Sequence, residues 1–358
     1  MTLQSLRHSG RSSESNTESS LDDIDIAKRN IATGLSRGRH AHVDRKHAAA
    51  SKRWKTFWSA FRYLQGLTPK QVDDFMASYV IYNLDWSDEK QMIATLGEDY
   101  QQKVGDCLKA YYGVLNHLCA LGDVEKMYIP PWMSKKATVR ENQLLYEESI
   151  AQDIGLKSGD KLFRRSFNAQ RGFSNNTFVV QDFNNLPLPF EDETFDAFYQ
   201  IQALSLCKDI PALFREIYRV VKPGAKISSL DWVSLPAYDP QNPEHAELMR
   251  RVKPLIGAVG TPTPESLEKA LTDAGFVVLK SDNASIDGLQ APLIDTVDGY
   301  FRAMRQVILG LVKLHLIPHH FKTLINRFCL DGLAFIKMDN MRLATTSYRI
   351  VAQKPARN

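Results

Sequence analysis

Only 23 positions separate Gly159 from Asp182, and that interval limits the sheet this chain can build. Beyond it the pattern is that of a parallel α/β sheet. NTFVVQDF reads as a buried strand ending in Asp182, NNLPLPFEDETF as a polar turn, and FDAFYQIQAL as a second apolar strand. DIPALFREIYRVVKPGA is an amphipathic helix with Asp209 at its start and a Pro-Gly stop, and KISSLDWVSL is a third strand. Strand, helix and strand in this order give a right-handed parallel βαβ unit. The piece before it, SGDKLFRRSFNAQRGF, starts a strand at Asp160 but runs into Phe163, Arg164 and Arg165 where such a sheet carries a glycine-rich turn; no G-x-G occurs anywhere in the chain. Three strands of about 5 residues and two crossovers of at least ~10 need a minimum of roughly 35 residues. The interval is too short, so the expectation is a sheet shortened in its first half, with a seam between Leu162 and Asn168.

The remaining text sorts into four parts. Residues 1–50, rich in Ser, Arg, Asp and Asn, read as a disordered basic tail. The acidic run at Asp22, Asp23 and Asp25 argues against an organelle-targeting peptide. Residues 51–157 read as a helical N-terminal layer, with Thr68 capping a helix that opens on Pro69, a long helix ending at Gly122, and the stiff aromatic loop MYIPPWM at 127–133. Residues 158–292 form the shortened α/β core. Residues 293–358 hold a helical stretch to about 341 and a closing strand, TTSYRIVAQKP. That strand and the one in GFVVLKSDN fit an antiparallel pair at the sheet edge with helices inserted between them.

Bulk properties exclude several classes. Apolar residues at 44% and charged residues at 24% are those of a globular protein. A net charge of +4, with basic residues spread along the chain, gives no case for nucleic acid. Cys107, Cys119, Cys207 and Cys329 lack C-x-x-C spacing, which argues against zinc and for free thiols in a reducing, cytoplasmic compartment. The pair His319-His320 lacks carboxylate partners at useful spacing, so no metal is expected. The N-terminus shows no signal-peptide core, and the longest apolar run, VILGLVKLHLI, is broken by Lys313 and His315. SKRWKTFWSAFRYLQG (51–66) places Trp54, Phe57, Trp58, Phe61 and Leu64 on one helical face among Lys52, Arg53, Lys55 and Arg62. Such a face docks on the protein's own core or lies in a lipid interface, at the endoplasmic reticulum or on lipid droplets.

The series DF, F-x-D-x-x-FD and a helix ending in KPG resembles the class I methyltransferases that use S-adenosylmethionine, which have a Rossmann-like sheet. Within them the chain is most similar to the sterol 24-C-methyltransferase family. The stretch LDWVSLPAYDPQNPEH resembles that family's fifth-strand segment; LKAYYGVLNHLCALG, DAGFVVLKSDNASID, GYFRAMRQVILGL and YRIVAQKP resemble further family segments in the same order. The resemblance covers roughly 90–355. It implies S-adenosylmethionine as methyl donor and a hydrophobic small-molecule acceptor, from fungal specialised metabolism (terpenoid or polyketide) or from sterol synthesis. A homo-oligomer is compatible with it.

Site residues follow from the same resemblance. Asp182 and Phe183 match the family's adenine-contacting pair; a strand-end aspartate capping the next turn is the plain alternative. Gln202 stands where the family has a glutamate of the cofactor site, and Leu204 and Leu206 replace a threonine and a histidine at the sterol end. Those replacements point away from a 3-hydroxysterol acceptor. Tyr111 and Tyr112 match paired substrate-side aromatics that would stabilise a carbocation, or else belong to a helix core. Asp231 replaces a family glutamate beside the substrate-side Trp232, where a carboxylate could stabilise a cation or take a proton. His245 keeps the family's Asn-Pro-Glu-His histidine, as a base or as a capping residue. The expected function is therefore methyl transfer. The alternative is an impaired or mis-spliced relative, acting as a non-enzymatic partner or lipid-binding module.

Overall fold

The computed structural model describes residues 53–122, 124, 126–156, 162–163 and 182–357. The tail over 1–50, the seam after Phe163 and the strand expected before Asp182 lie outside the described residues. Backbone contacts divide the chain into Met1–Thr56 and Phe57–Asn358, and the sheet with its surrounding helices belongs to the second unit.

The N-terminal layer begins with helix α1 over 53–65, then α2 (Pro69–Ala77), a 3-10 turn (Ser78–Asn83), α3 (Glu89–Leu96), α4 (Tyr100–Leu121) and α5 (Val139–Asp153). Thr68 and Thr138 each form a reciprocal cap with a residue three positions on, Gln71 and Glu141, which satisfies two otherwise orphaned N–H groups per helix. The aromatic face of α1 divides. Ala60 and Leu64 are buried, and the Phe61 ring lies 5.5 Å from Phe321, while Trp54 and Trp58 stay 61% and 39% exposed. His320, expected in a loop, opens a helix, and its Nε2 sits 2.8 Å from the Leu64 carbonyl.

The sheet has five strands in the order β1 (Leu162–Phe163), β2 (Phe195–Ile201), β3 (Val221–Ser234), β5 (Ala344–Gln353) and β4 (Val277–Asn283). The first three are parallel, and β5 runs antiparallel to both of its neighbours, as the Rossmann-like reading with a C-terminal edge pair requires. Helix α6 (Ile210–Val220), capped by Asp209, makes the β2–β3 crossover and buries Leu213, Phe214, Ile217 and Val220 on the sheet. The Pro-Gly pair expected to stop α6 falls inside β3 instead. Val221 is buried and extended, and the Lys354 ammonium takes the Tyr218 and Val221 carbonyls, each at 2.9 Å, so the helix closes before Pro223 is reached. Gly224, at φ +82, makes the irregular start of the strand.

Helices α7 (Pro243–Ile256) and α8 (Pro264–Asp273) follow β3, and α9 (Ala291–Lys313), α10 (His320–Phe328) and α11 (Gly332–Asn340) lie between β4 and β5. The N-terminus of α9 has no cap of its own. Asp339 on α11 supplies one, accepting the N–H groups of Gln290 and Ala291 at 2.8 and 2.7 Å. Among the described residues no helix is long and apolar enough to cross a membrane.

Candidate functional site

In an open α/β sheet, ligands lie beyond the carboxyl ends of the parallel strands. Here those ends carry the turn after β2 and the Asp231-Trp232 pair of β3. Gln202 turns the chain out of β2 with φ +48, a left-handed conformation uncommon for a residue with a side chain. Its N–H still donates to the Leu230 carbonyl at 2.7 Å. The next two N–H groups, of Ala203 and Leu204, donate to Asp231 Oδ2 at 3.1 and 2.8 Å, and Asp231 Oδ1 accepts the Trp232 N–H at 2.8 Å. Asp231 is only 2% exposed. Burial pushes its carboxyl up to about 6, and the N–H bonds oppose that rise by favouring the charged form. The carboxylate thus clamps the turn after β2 onto the end of β3.

Trp232 and Ser234 organise the opposite wall. The Trp232 indole N–H donates to the Gly260 carbonyl at 3.1 Å, and the Ser234 N–H donates to the Pro262 carbonyl at 2.9 Å. Between the two anchored segments opens a cavity of about 460 Å³, bounded on its third side by Asn83–Ser87 of the helical layer and reached by Lys253 from the last turn of α7. That size is in the range of small-molecule sites. Trp86 stands on the third wall with its indole N–H donating to the Ile81 carbonyl at 2.9 Å.

The other expected residues fall in three places. Asp182 is exposed, and its Oδ1 accepts the Asn184 N–H at 2.9 Å, an Asx turn. Phe183 packs half-buried on the sheet core. The Asn184 side chain donates to the Leu206 carbonyl and accepts the Lys208 N–H, at 3.2 and 2.8 Å, so Asp182 and Phe183 sit beside the cavity segment 204–208. Tyr111 is fully buried among Phe75, Tyr79, Tyr82 and Tyr112, and its hydroxyl donates to the Pro254 carbonyl at 2.9 Å. Burial raises that phenol well above its ordinary range. Tyr112 is half-buried; a Cβ added at Gly257 would lie 3.1 Å from its hydroxyl, so the pair stands behind the α7 end of the cavity wall. His245 is apart from the others. Its Nδ1 accepts the Asp239 N–H at 3.1 Å, and Lys253 is eight positions further along α7, about 12 Å of helix away.

The Gln202 side chain is spent on the fold. Its Oε1 accepts the Ile129 N–H at 3.1 Å, and its Nε2 donates to the Ile129 and Thr346 carbonyls, both at 2.8 Å. The aromatic loop is thereby tied to the sheet, and Gln290 and Ser285 tie it again through Pro130 and Trp132. Neither residue had a local sequence signal, since each is paired with a backbone group far along the chain. Lys253 was also missed: on the helical pattern it is an ordinary cation at a helix C-terminus. Among the described residues no cluster of three potential ligands could hold a metal.

With this geometry in place, the comparisons can be set beside it. The family description "Methyltransferase domain" matches residues 148–228. The sterol 24-C-methyltransferase of Pneumocystis carinii is 30% identical over 163 residues, 43% of this chain and 41% of that enzyme's length. That of Kluyveromyces lactis is 24% identical over 261 residues, 63% of this chain and 70% of that enzyme. A solved structure described as a putative sarcosine dimethylglycine methyltransferase from Galdieria sulphuraria shares the fold, with TM-score 0.50 and 15% identity over 67% of this chain and 97% of its own.

Proposed function

We propose that this chain, which belongs to the class I methyltransferases of sterol 24-C-methyltransferase-like type, moves a methyl group from S-adenosylmethionine to a hydrophobic, polycyclic or isoprenoid acceptor. The observation that carries the reading is the clamped cavity at the carboxyl ends of β2 and β3, with Asp182 and Phe183 next to Asn184, which bonds to the neighbouring segment at Leu206 and Lys208. An exposed carboxylate followed by a half-buried ring suits the amine and the face of an adenine, so these residues fit the donor's adenosyl end. When bound, the donor supplies an electrophilic methyl on a sulfonium.

The chain's own part is positioning and exclusion of water. Asp231 is a positioning residue here: with Ala203, Leu204 and Trp232 donating to it, it sets the turn after β2 rather than facing the cavity as a free base. Trp232 holds the opposite wall through Gly260. Tyr111 and Tyr112 stand behind that wall, Tyr111 as part of the helical core. The chain's two exposed indoles, Trp54 and Trp58, suit peripheral contact with the membrane that carries such acceptors.

The test is transfer of tritiated methyl from S-adenosylmethionine to a panel of sterols and isoprenoids. Asp231→Ala should lower turnover at least tenfold, Asp231→Asn less, because the amide keeps one acceptor oxygen. Donor binding without transfer to any acceptor would replace this reading with the second one. That reading, a non-catalytic lipid-binding relative, is favoured by the missing G-x-G and the 23-position interval.

A further inference from the structure

Lys253 poses a question that methyl transfer does not answer. It stands in the last turn of α7, where a cation is favoured by the helix dipole. A lysine serving only that purpose keeps its ammonium in water. This one is half-buried in the wall of the cavity, and no carboxylate or carbonyl among the described residues bonds to its ammonium. Burial lowers its pKa, and the field of Asp85 opposes that. Asp85 does not pair with it. Its Oδ1 is taken up locally, accepting the Ser87 N–H at 2.9 Å and the Ser87 hydroxyl at 2.6 Å. An ammonium half withdrawn from water without a bonded partner is costly, and the cost falls when an anion fills the space before it.

The rest of the lining fits the same ligand. Lys208 at the mouth adds a second positive charge, against the single carboxylate of Asp85. Leu204, Ile210 and Val259 give the cavity apolar walls, and Trp86 gives it an aromatic one. The thiol of Cys207, also in the wall, is pushed by burial up to about 11 and stays neutral, so it brings no competing negative charge. A pocket of mixed polar and apolar lining, with a cation in one wall, suits an amphiphile with an acidic head.

We propose that this cavity binds a hydrophobic molecule bearing a carboxylate or phosphate, with the anionic head on Lys253. This rests on the reading above only in taking that molecule to be the methyl acceptor; the binding itself needs no donor. The change at Leu204 and Leu206, where the related family has a threonine and a histidine, is consistent with an acceptor whose polar end is held elsewhere, at Lys253.

The test is equilibrium binding of dodecanoate, dodecyl phosphate and dodecanol to the full chain, without S-adenosylmethionine, below their micellar concentrations. The acid or the phosphate should bind at least tenfold more tightly than the alcohol, and the order of the two names the head group. Lys253→Met should abolish the preference while leaving binding of the alcohol within about twofold, and Lys253→Arg should keep most of it. Circular dichroism confirms that each variant is folded. Equal affinity for acid and alcohol, a preference that survives Lys253→Met, or no binding of any probe overturns the proposal. Because no donor is present, these outcomes are separate from success or failure of methyl transfer.

Discussion

Two described regions around the sheet differ in what fastens them. On one side, the turn Asp182–Asn184 is held through side-chain bonds from Asn184 to Leu206 and Lys208. On the other, β3 pairs with β5 from Lys226↔Gln353 to Ser234↔Ala344, and β4 extends the pairing from Val277↔Gln353 to Asn283↔Tyr348. Arg349 on β5 locks that side further, pairing with Asp282 at 2.7 Å and Asp153 at 3.2 Å while only 9% of its side chain is exposed. Strand pairing and side-chain burial act together there. The β3–β5–β4 region is thus held by long ladders and the ion pairs of a buried arginine, the turn by the hydrogen bonds of one asparagine.

This contrast can be broken by mutation. Trp232 is 2% exposed, packs on Leu248, Met249, Phe335 and Met338, and bonds to Gly260. Trp232→Ala should cost about 3–5 kcal/mol in chemical denaturation. Phe183→Ala in the Asp182–Asn184 turn, where the ring is half-buried, should cost less than half as much; equal costs would mean the two regions are equally built.

Asp339 sharpens the same comparison through pH. Burial raises its carboxyl from 3.8 to about 6 despite two N–H bonds from the start of α9. Between those values the folded chain keeps a proton that the unfolded chain has released. The group's stabilising contribution is therefore complete below about pH 4 and lost as pH rises through about 6. Against Asp339→Asn, which does not titrate, the wild type should lose on the order of 2–3 kcal/mol of relative stability between pH 4 and 7. A constant difference across that range would show that Asp339 does not titrate with folding.

The smallest effect is expected at Gln202. Replacement by Ala removes its three bonds to Ile129 and Thr346 and should cost about 1–3 kcal/mol, with faster amide exchange confined to the 127–133 loop. Unchanged exchange there would show that Gln290 and Ser285 hold the loop without it.

Much of this was legible in the sequence where the signal is local. Asp209 before an amphipathic run, Thr68 ahead of the helix that opens on Pro69, and period-matched apolar runs in β2, α6 and β5 all announce their elements. The helix stop at Pro223-Gly224 misread one boundary, because the closure comes from Lys354, some 130 residues later. The site divides the same way. Asp231 and Trp232 stood out from the motif around them, but Asp231's partners are backbone N–H groups that no side-chain pattern records. Gln202 kept its place at the end of β2, yet its amide serves a loop more than 70 residues away. Lys253 gave no signal, since only the fold shows which cation at a helix end faces a cavity.

With 23 positions between Gly159 and Asp182, the chain is expected still to bind the methyl donor. Calorimetric titration of the 358-residue chain with S-adenosylmethionine tests it directly. The account predicts one site per chain with micromolar affinity, weakened about tenfold or more by Asp182→Ala. No heat of binding up to millimolar donor, with the protein folded, would contradict it.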